Sequence, residues 1–394
     1  MKIRVGVIFG GMSVEHEVSV ISGLQVYHSL IGEKYEPVPV YIAKDGNWYT
    51  GKDLVKIEEY TNIQALLKKV KKVFLYTNEN EVHQLIAKKK FTNGMATIEK
   101  IDVAFPVTHG TFGEDGSLQG LLELHRIPYV GSDVLSSAIG MDKVMMKSIL
   151  KTAGLPIVDY IYLYGHDWIN DQGGSLIQIE ENLGYPIIVK PSNLGSSVGI
   201  SVATNKEELI DALKNAFSYS YKVIIEKVVQ NLKEVNCSVL GDIEGVEVSI
   251  CEEVLKTNNI LSYQDKYMNS ASKGMSGTSR IIPADISTSM TNEVQNLAKQ
   301  VFSVLQCNGV SRVDFLVDQS DGHVFINEIN TIPGSLAFYL WEPIGKSFHQ
   351  LTNDLIQLAL KKKRISNQLT FTYDTNLLSI KGIGGVKKSG NPIN

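Results

Sequence analysis

Four polar residues in a hairpin-like stretch near position 320 are the strongest candidates for chemistry in this chain. Arg312 and Asp314 stand in VSRVDFLV, Glu328 and Asn330 in HVFINEINTIPG, and the turn residues Asp318 to Gly322 lie between them. If Asp314 lies opposite Glu328, the same register sets Arg312 opposite Asn330, because both pairs are centred on Asp321. Strand side chains alternate with period 2, so all four then share one face. Two carboxylates and an amide carbonyl supply the hard oxygens that Mg²⁺ takes, and a neighbouring guanidinium can neutralise a phosphate or an oxyanion. An edge hairpin with a solvated polar face carries the same pattern.

Other segments bear on the choice. In IIVKPSNLGSSVGIS, Lys190 ends a strand and is followed by a Gly/Ser loop whose backbone N–H groups can approach phosphate oxygens; a plain β-turn reads the same way. Neither GxxxxGK[ST] nor GxGxxG occurs, which disfavours the two nucleotide folds those motifs mark. VIIEKVVQNLKEV places Glu226, Lys227 and Glu234 where a strand leaves the core, suited to an adenine edge and ribose hydroxyls, or simply to an exposed strand end. Lys266 and Tyr267 precede MNSASKGMSGTSR, a composition fit for a lid or for a surface loop. Glu15 falls where the first helix begins, with Ser13 as a candidate N-cap, and can hold an ammonium or merely favour the helix start. His109 and Glu114 share the polar loop VTHGTFGEDGSLQG, where a structural histidine is the plainer reading.

These residues need a scaffold of some size, and 394 residues with 43% apolar and 20% charged side chains provide two or three folded units around a cleft. A net charge of -4 gives no global case for nucleic acid. Cys237, Cys251 and Cys307 fit neither a disulfide framework nor paired zinc spacing, and they suit a reducing compartment. The N-terminus lacks a signal-peptide pattern and no apolar run reaches the ~18 residues of a membrane helix, so a cytoplasmic protein without membrane or nucleic-acid partners is expected.

Along the chain, a buried strand at Ile3 to Phe9 leads into a helix with Val14, Val18, Ile21 and Leu24 on one stripe. Strands at Glu36 to Ile42, Val103 to Pro106 and Tyr129 to Val130, with a helix at Ile63 to Val70, predict an open parallel sheet. A helix from Asp142 to Thr152, strands at Ile157 to Leu163 and Tyr185 to Lys190, and a β-rich region from Val223 to Val254 follow. A helix from Phe348 to Lys361 closes that part. After Lys363, FTYDTNLL is read as an edge strand or a dimer surface.

In chain order, GGMSVEHEVS, HGTFGEDGSLQG, PYVGSDVLSSAIGMDK, VKPSNLGSSVGIS, IIEK, YQDKY, SRVDF and NEINTIPG resemble the motifs of the D-alanine–D-alanine ligase family of the ATP-grasp superfamily, across most of residues 1–360. The resemblance implies an α/β fold whose ATP-grasp part has two α+β lobes. It divides the chain into a Rossmann-like substrate domain with an open parallel sheet at 1–125, a central lobe at 126–222, a C-terminal lobe with the metal and catalytic residues at 223–363, and an extension at 364–394. It implies ATP held by Lys143, Lys190, Ser197 and Lys266, an adenine pocket at Glu226, Lys227 and Val229, and ribose on Glu234. Asp314, Glu328 and Asn330 would bind two Mg²⁺, with Mn²⁺ as a substitute. The implied reaction phosphorylates one D-alanine carboxylate and then displaces phosphate with the amine of a second D-alanine, for peptidoglycan precursors. Arg312 and the Gly334 N–H would hold the tetrahedral oxyanion. Glu15 would take the first ammonium, Glu15, Ser196 and Tyr267 would tie the lid to that subsite, and His109 would lie near the first carboxylate. A cytoplasmic homodimer is implied by the same analogy.

One departure concerns the acceptor. Family members follow the NTxPG turn with a segment whose serine helps hold the second substrate's carboxylate, whereas this chain has SLAFYLWEP and aligns Tyr339 with that serine. The phenol can still donate a hydrogen bond, but its bulk reshapes the subsite. Alternatively, Phe338 and Trp341 with it pack against the closing helix and leave specificity alone. Tyr267 argues against D-lactate. D-Alanine leads, D-serine or another acceptor is the alternative, and a catalytically silent ATP-binding regulator is a third reading.

Overall fold

The computed structural model describes residues 2–89, 92–255 and 280–375, and three sheets organise them. Seven strands, β1 (Ile3–Gly10), β2 (Tyr35–Ile42), β3 (Trp48–Thr50), β4 (Lys71–Thr77), β5 (His83–Lys88), β6 (Met95–Ile101) and β7 (Val103–Pro106), form the first. Their order is β6-β5-β4-β3-β2-β1-β7. The strands expected to form an open parallel sheet, β2, β1 and β7, do pair parallel, and an antiparallel run from β3 to β6 extends that sheet beyond β2. The turns joining β4, β5 and β6 are too short for crossover helices, so those strands can pair only antiparallel. Tyr129 contributes a single bridge to Ala104 rather than a strand.

The first helix, His16–Ser29, buries Val18, Val20, Leu24 and Val26, whereas Val14 precedes it and Ile21 is exposed. The expected stripe is rotated because two serines on the inner face are used as struts. Ser19 Oγ accepts from Gly10 N at 2.7 Å and donates to Val107 O at 2.6 Å, and Ser22 reaches the site described below. Gly23 allows this helix to lie on β1, since a Cβ there would approach Phe9 to 2.4 Å. The helix is not capped by Ser13: Glu15 occupies the cap position, and Ser13 Oγ accepts from its N–H at 3.1 Å.

The second sheet contains β8 (Tyr160–Tyr164), β9 (Ile187–Pro191), β10 (Ser201–Ala203) and β11 (Lys222–Lys227) in the order β10-β9-β11-β8, covered by helices Gln172–Leu183 and Lys206–Phe217. The third contains β12 (Leu232–Asp242), β13 (Gly245–Val254), β14 (Arg280–Ile281), β15 (Gly309–Asp318) and β16 (Val324–Asn330) in the order β14-β13-β12-β15-β16. Its inner face packs on helices Lys143–Thr152 and Thr288–Val304 through Val235, Val313, Phe315 and Ile326. The closing helix, Phe348–Ser366, buries Leu351, Leu355 and Ile356 in the core of the first sheet, which also takes Val310 and Leu240 from the third and Trp341 from the segment after it. The first and third sheets therefore share one apolar interior. Of the extension at 364–394, residues 364–366 end the closing helix and no strand forms in 367–375; the rest of FTYDTNLL, from 376, lies outside the described residues. No helix among the described residues is long and apolar enough to cross a membrane.

Candidate active site

The outer face of the third sheet carries a transverse row of four polar residues. Glu252 on β13 lies opposite Asn236 on β12, Asn236 opposite Asp314 on β15, and Asp314 opposite Glu328 on β16. Directly opposed residues share a face, and with strands ~4.8 Å apart the row spans roughly 14 Å. β15 alternates cleanly, with Val313, Phe315 and Val317 buried and Arg312, Asp314 and Leu316 turned to the cavity. Arg312 pairs with Asn330 and Asp314 with Glu328, the register expected from the sequence. Nearer the turn the register slips by one, because Asn327 is an unpaired bulge residue between the partners of Asp314 and Phe315. The bulge lets Asn327 line the cavity beside Glu328, where its Oδ1 accepts from Lys190 Nζ at 3.2 Å.

Arg312 grips Asp314 with two hydrogen bonds, Nε to Oδ1 at 2.6 Å and Nη2 to Oδ2 at 2.7 Å, and Asn330 Nδ2 donates to the same carboxylate at 3.1 Å. Burial pushes the Asp314 carboxyl above its ordinary range; Arg312 opposes the shift, while Glu328 and Glu252 add to it. A divalent cation would hold such a carboxyl ionised, and Asp314, Glu328 and Asn330 offer it oxygen alone. No cluster of three His, Cys, Asp or Glu side chains able to hold a metal occurs among the described residues, so the third oxygen falls to the amide of Asn330.

A buried charge triad lies next to the Glu328 end of the row. Lys190 Nζ donates to Glu226 Oε2 at 2.5 Å, and Lys147 Nζ lies 3.0 Å from Glu226 Oε1. All three side chains are 8% exposed or less. Burial alone would raise the Glu226 carboxyl, but the two ammonium groups outweigh it and draw it down to about 2. Oε1 is fully buried against the Lys147 ammonium. Lys143 lies 3.3 Å from Glu328 and donates to Leu194 O at 2.9 Å, which ties the Gly/Ser loop to the Glu328 end of the row. Within that loop Ser196 and Ser197 take left-handed φ of 55° and 58°, and Ser196 Oγ donates to Glu15.

The loop of His109 and Glu114 grips the turn that carries Gly334. Glu114 accepts from Ile332 N at 3.0 Å and from Gly110 N at 2.8 Å, and His109 bonds the Ile332 carbonyl and Ser22 Oγ at 3.2 Å. Ser22 Oγ in turn accepts from Ser335 N at 3.0 Å. Burial pushes the His109 imidazole down to about 4 and, with Glu15 adding, the Glu114 carboxyl up to about 8. Both are therefore neutral near pH 7. His109 lines the cavity, but its ring nitrogens are engaged in holding backbone.

After Gly334 the chain turns through Ser335, Leu336 and Ala337 with φ of 49°, 54° and 51°, a left-handed turn of residues with side chains. The three aromatics beyond it diverge. Phe338 packs on Phe348 of the closing helix with ring centroids 4.9 Å apart, and Trp341 is fully buried with Nε1 donating to Ser238 Oγ at 3.1 Å. Tyr339 alone faces the cavity, where its hydroxyl donates to Glu252 Oε1 at 3.1 Å. Asn236 Nδ2 donates to the same oxygen at 3.0 Å, and Arg280 Nη1 lies 3.2 Å from Oε2.

One cavity of about 320 Å³ collects Glu15, His109, Lys143, Lys190, Ser196, Ser197, Glu226, Lys227, Val229, Glu234, Arg312, Asp314, Glu328, Asn330, Gly334 and Tyr339. Lys266 and Tyr267 lie outside the described residues. The sequence reading missed Glu252, Asn236, Asn327, Lys147 and Arg280. Asn236 and Glu252 flank a hairpin turn at Asp242 to Gly245, and the centring used for Asp314 and Glu328 could have found them but for a bulge between Cys237 and Val239.

Comparison with known proteins is consistent along the chain. Residues 4–132 match the family described as D-ala D-ala ligase N-terminus, and residues 149–357 match D-ala D-ala ligase C-terminus. The D-alanine–D-alanine ligase of Thermosipho melanesiensis is 38% identical over 379 residues, covering 96% of this chain and 99% of that protein. The Thermoanaerobacter pseudethanolicus ligase of the same name is 42% identical over 91% of this chain and 97% of its own. Among solved structures, the D-alanine-D-alanine ligase from Coxiella burnetii aligns with a TM-score of 0.77 at 28% identity, over 93% of this chain and 96% of that one. The VanG D-Ala:D-Ser ligase from Enterococcus faecalis aligns at 0.76 with 32% identity, over 91% and 100%.

Proposed function

The chain belongs to the D-alanine–D-alanine ligase family, ATP-dependent enzymes of peptidoglycan precursor synthesis that generally use Mg²⁺, and from that premise we propose how its own residues divide the work. The enzyme joins two D-alanines. The donor carboxylate attacks the γ-phosphorus of ATP, forming the acyl phosphate as the bond to ADP breaks. The acceptor amine then forms the C–N bond, and phosphate leaves with the C–O bond electrons. Both steps build charge on oxygen, so the catalytic requirement is preorganised positive charge.

Lys143, Lys190 and Ser197 hold the triphosphate, Glu226 with Lys227 and Val229 receives the adenine, and Glu234 takes the ribose. Lys266, next to the expected lid, steadies the transferring phosphoryl group. Asp314, Glu328 and Asn330 hold two Mg²⁺, with Mn²⁺ as a substitute; when bound, Mg²⁺ supplies charge neutralisation to the phosphates. Glu15 binds the donor ammonium, and its bond to Ser196 supports a link between that subsite and the phosphate loop that Tyr267 completes. Arg312 and the Gly334 N–H hold the oxyanion. His109 acts near the donor carboxylate through the backbone it fixes, and Tyr339 forms the acceptor wall. The division into 1–125, 126–222, 223–363 and 364–394 belongs to the same proposal; three sheets parallel its first three parts, although β11 of the second sheet runs to Lys227 and the closing helix runs to Ser366. So does a cytoplasmic homodimer, whose compartment suits three free, buried cysteines.

The observation that carries the reading is the pairing of Arg312 with Asn330 and Asp314 with Glu328 on one face above the charge triad. Purified protein given ATP, Mg²⁺ and D-alanine should release phosphate in step with dipeptide, followed by mass spectrometry. ATP binding without product from any amino-acid pair would instead support a silent regulator. A second reading, D-serine as acceptor, draws on the likeness to the VanG ligase and on the polar Tyr339–Glu252 wall. Turnover with D-serine but none with D-alanine alone would establish it.

A further inference from the structure

We infer that Arg280 is the anion anchor of the acceptor subsite, a specificity-determining residue that recognises the carboxylate of the second amino acid, with Glu252 as its positioning residue. The inference rests on the ligase reading above. Arg280 opens β14, the edge strand, next to Val254 of β13, and its guanidinium covers the Tyr339 ring at 4.4 Å from the centroid. Nη1 lies 3.2 Å from Glu252 Oε2, and its side chain is 24% exposed to the cavity it lines.

Charge accounting along the cavity singles it out. The transverse row contributes Glu252, Asp314 and Glu328, so an incoming carboxylate meets repulsion unless a cation stands ready. Among the described residues lining the cavity, the cations are Lys143, Lys190, Lys227, Arg280 and Arg312. Lys143 contacts Glu328 and Leu194 O, Lys190 is held by Glu226, and Lys227 stands at the adenine end. Arg312 is spanned by both oxygens of Asp314. Arg280 has one ionic partner, through Nη1, and an aromatic platform, and among the described residues no contact beyond these two is seen for its guanidinium. A planar fork fixed at one edge and on one face, with donors to spare, is the arrangement that receives a carboxylate. Glu252 sets the fork in place while also fixing the Tyr339 hydroxyl and the Asn236 amide. Tyr339, standing where relatives place a small serine, then serves as the surface on which the arginine lies.

D-Alaninamide tests this, because without a carboxylate it cannot be phosphorylated and can act only as acceptor. The full-length enzyme is given ATP, Mg²⁺, D-alanine and D-alaninamide together, and the ratio of the two dipeptide products is read by mass spectrometry. Arg280→Gln should lower the preference for D-alanine about 10- to 100-fold, the weight of a charge-assisted contact. Arg280→Lys, which keeps charge but loses the fork and the stacking, should fall between. Glu252→Gln should raise the acceptor KM more than the ATP KM. Donor-site and ATP KM values should move little in the Arg280 variants. A wild-type product ratio in Arg280→Gln overturns the assignment, and if that variant does not fold, a wild-type ratio in Arg280→Lys does so. If the unaltered enzyme makes neither dipeptide, the ligase reading itself falls and the Arg280 assignment falls with it.

Discussion

Replacing Lys147 with methionine should damage the protein far more than its place on a helix suggests. Lys147 is fully buried beneath the nucleotide end of the cavity, 3.0 Å from Glu226 and 3.3 Å from the Ile326 carbonyl. The Glu226 carboxyl stands at about 2 against an ordinary 4.5. That depression corresponds to roughly 3 kcal/mol in favour of the ionised form, at about 1.4 kcal/mol per pH unit. Lys147 exerts the larger of the two Coulombic attractions that produce it. Methionine fills most of the volume but leaves Glu226 with Lys190 alone, and stripping one partner from a buried pair costs about 3–5 kcal/mol. For a single cooperative unit of this size the loss corresponds to a fall in Tm of roughly 4 °C or more. The acid side should change as well. A depressed folded pKa gives stability that is complete above 4.5 and is lost as pH falls toward about 2, so a Lys147→Met protein, with Glu226 back near its ordinary range, should show a shallower acid loss. Calorimetry at several pH values, with the ATP KM, would read all three effects. The ATP KM should rise because the Glu226 carboxylate is no longer fixed. Glu226→Gln should cost a comparable amount, and the double variant should cost less than the sum by about 1 kcal/mol or more. A Tm within 1 °C of wild type, an unchanged acid slope and an unchanged KM would refute the triad as a coupled unit.

Two further outcomes follow from the site. Glu328→Ala removes an oxygen donor and the partner of Lys143, and should cut turnover roughly 10²- to 10³-fold with little change in Tm; near-normal phosphate release would sink the metal assignment. The buried pair His109 and Glu114 should shape alkaline stability: the lowered imidazole loses stability as pH falls from 6.5 to about 4, and the raised carboxyl loses it as pH rises from 4.5 to about 8. Between 4.5 and 6.5 the two slopes oppose each other, leaving a net loss of about 2 kcal/mol from pH 6.5 to 8, and a Glu114→Gln protein that keeps that decline in denaturant titrations would disprove the assignment.

Much of the site could be read from sequence because the Asp314–Glu328 end of the row is local. Asp314 and Glu328 sit on one hairpin, and period-2 alternation is enough to bring them together. The Asn236–Glu252 end could not be read the same way. Asn236 and Glu252 also flank a single hairpin, but its bulge shifts the register by one, and one residue of error sends a side chain to the opposite face. Asn327 was hidden for the same reason, since strict alternation turns it away from Glu328. Lys147 reads as a helix-face lysine, and nothing local says that Glu226, 79 residues later, buries against it. Arg280 closes a Gly- and Ser-rich stretch, and only the pairing of β14 with β13 gives it Glu252 and Tyr339. In the first sheet the parallel strands were legible, while the antiparallel extension from β3 to β6 was not named, because strands of ordinary β composition carry no motif of their own.

The left-handed turn at Ser335, Leu336 and Ala337 bears on how enzymes of this kind can diverge. Left-handed φ costs roughly 1–2 kcal/mol for each residue that carries a side chain, and here the burial of Leu336 and Ala337 offsets it. Glycine at either position would relax the backbone but leave core volume unfilled, while a bulkier residue would strain both, so inheritance has little room to vary there. Among the described residues of 334–341, Tyr339 is the one whose side chain reaches the cavity. A lineage that changes its second substrate can therefore experiment at this single position while the turn that presents it stays fixed.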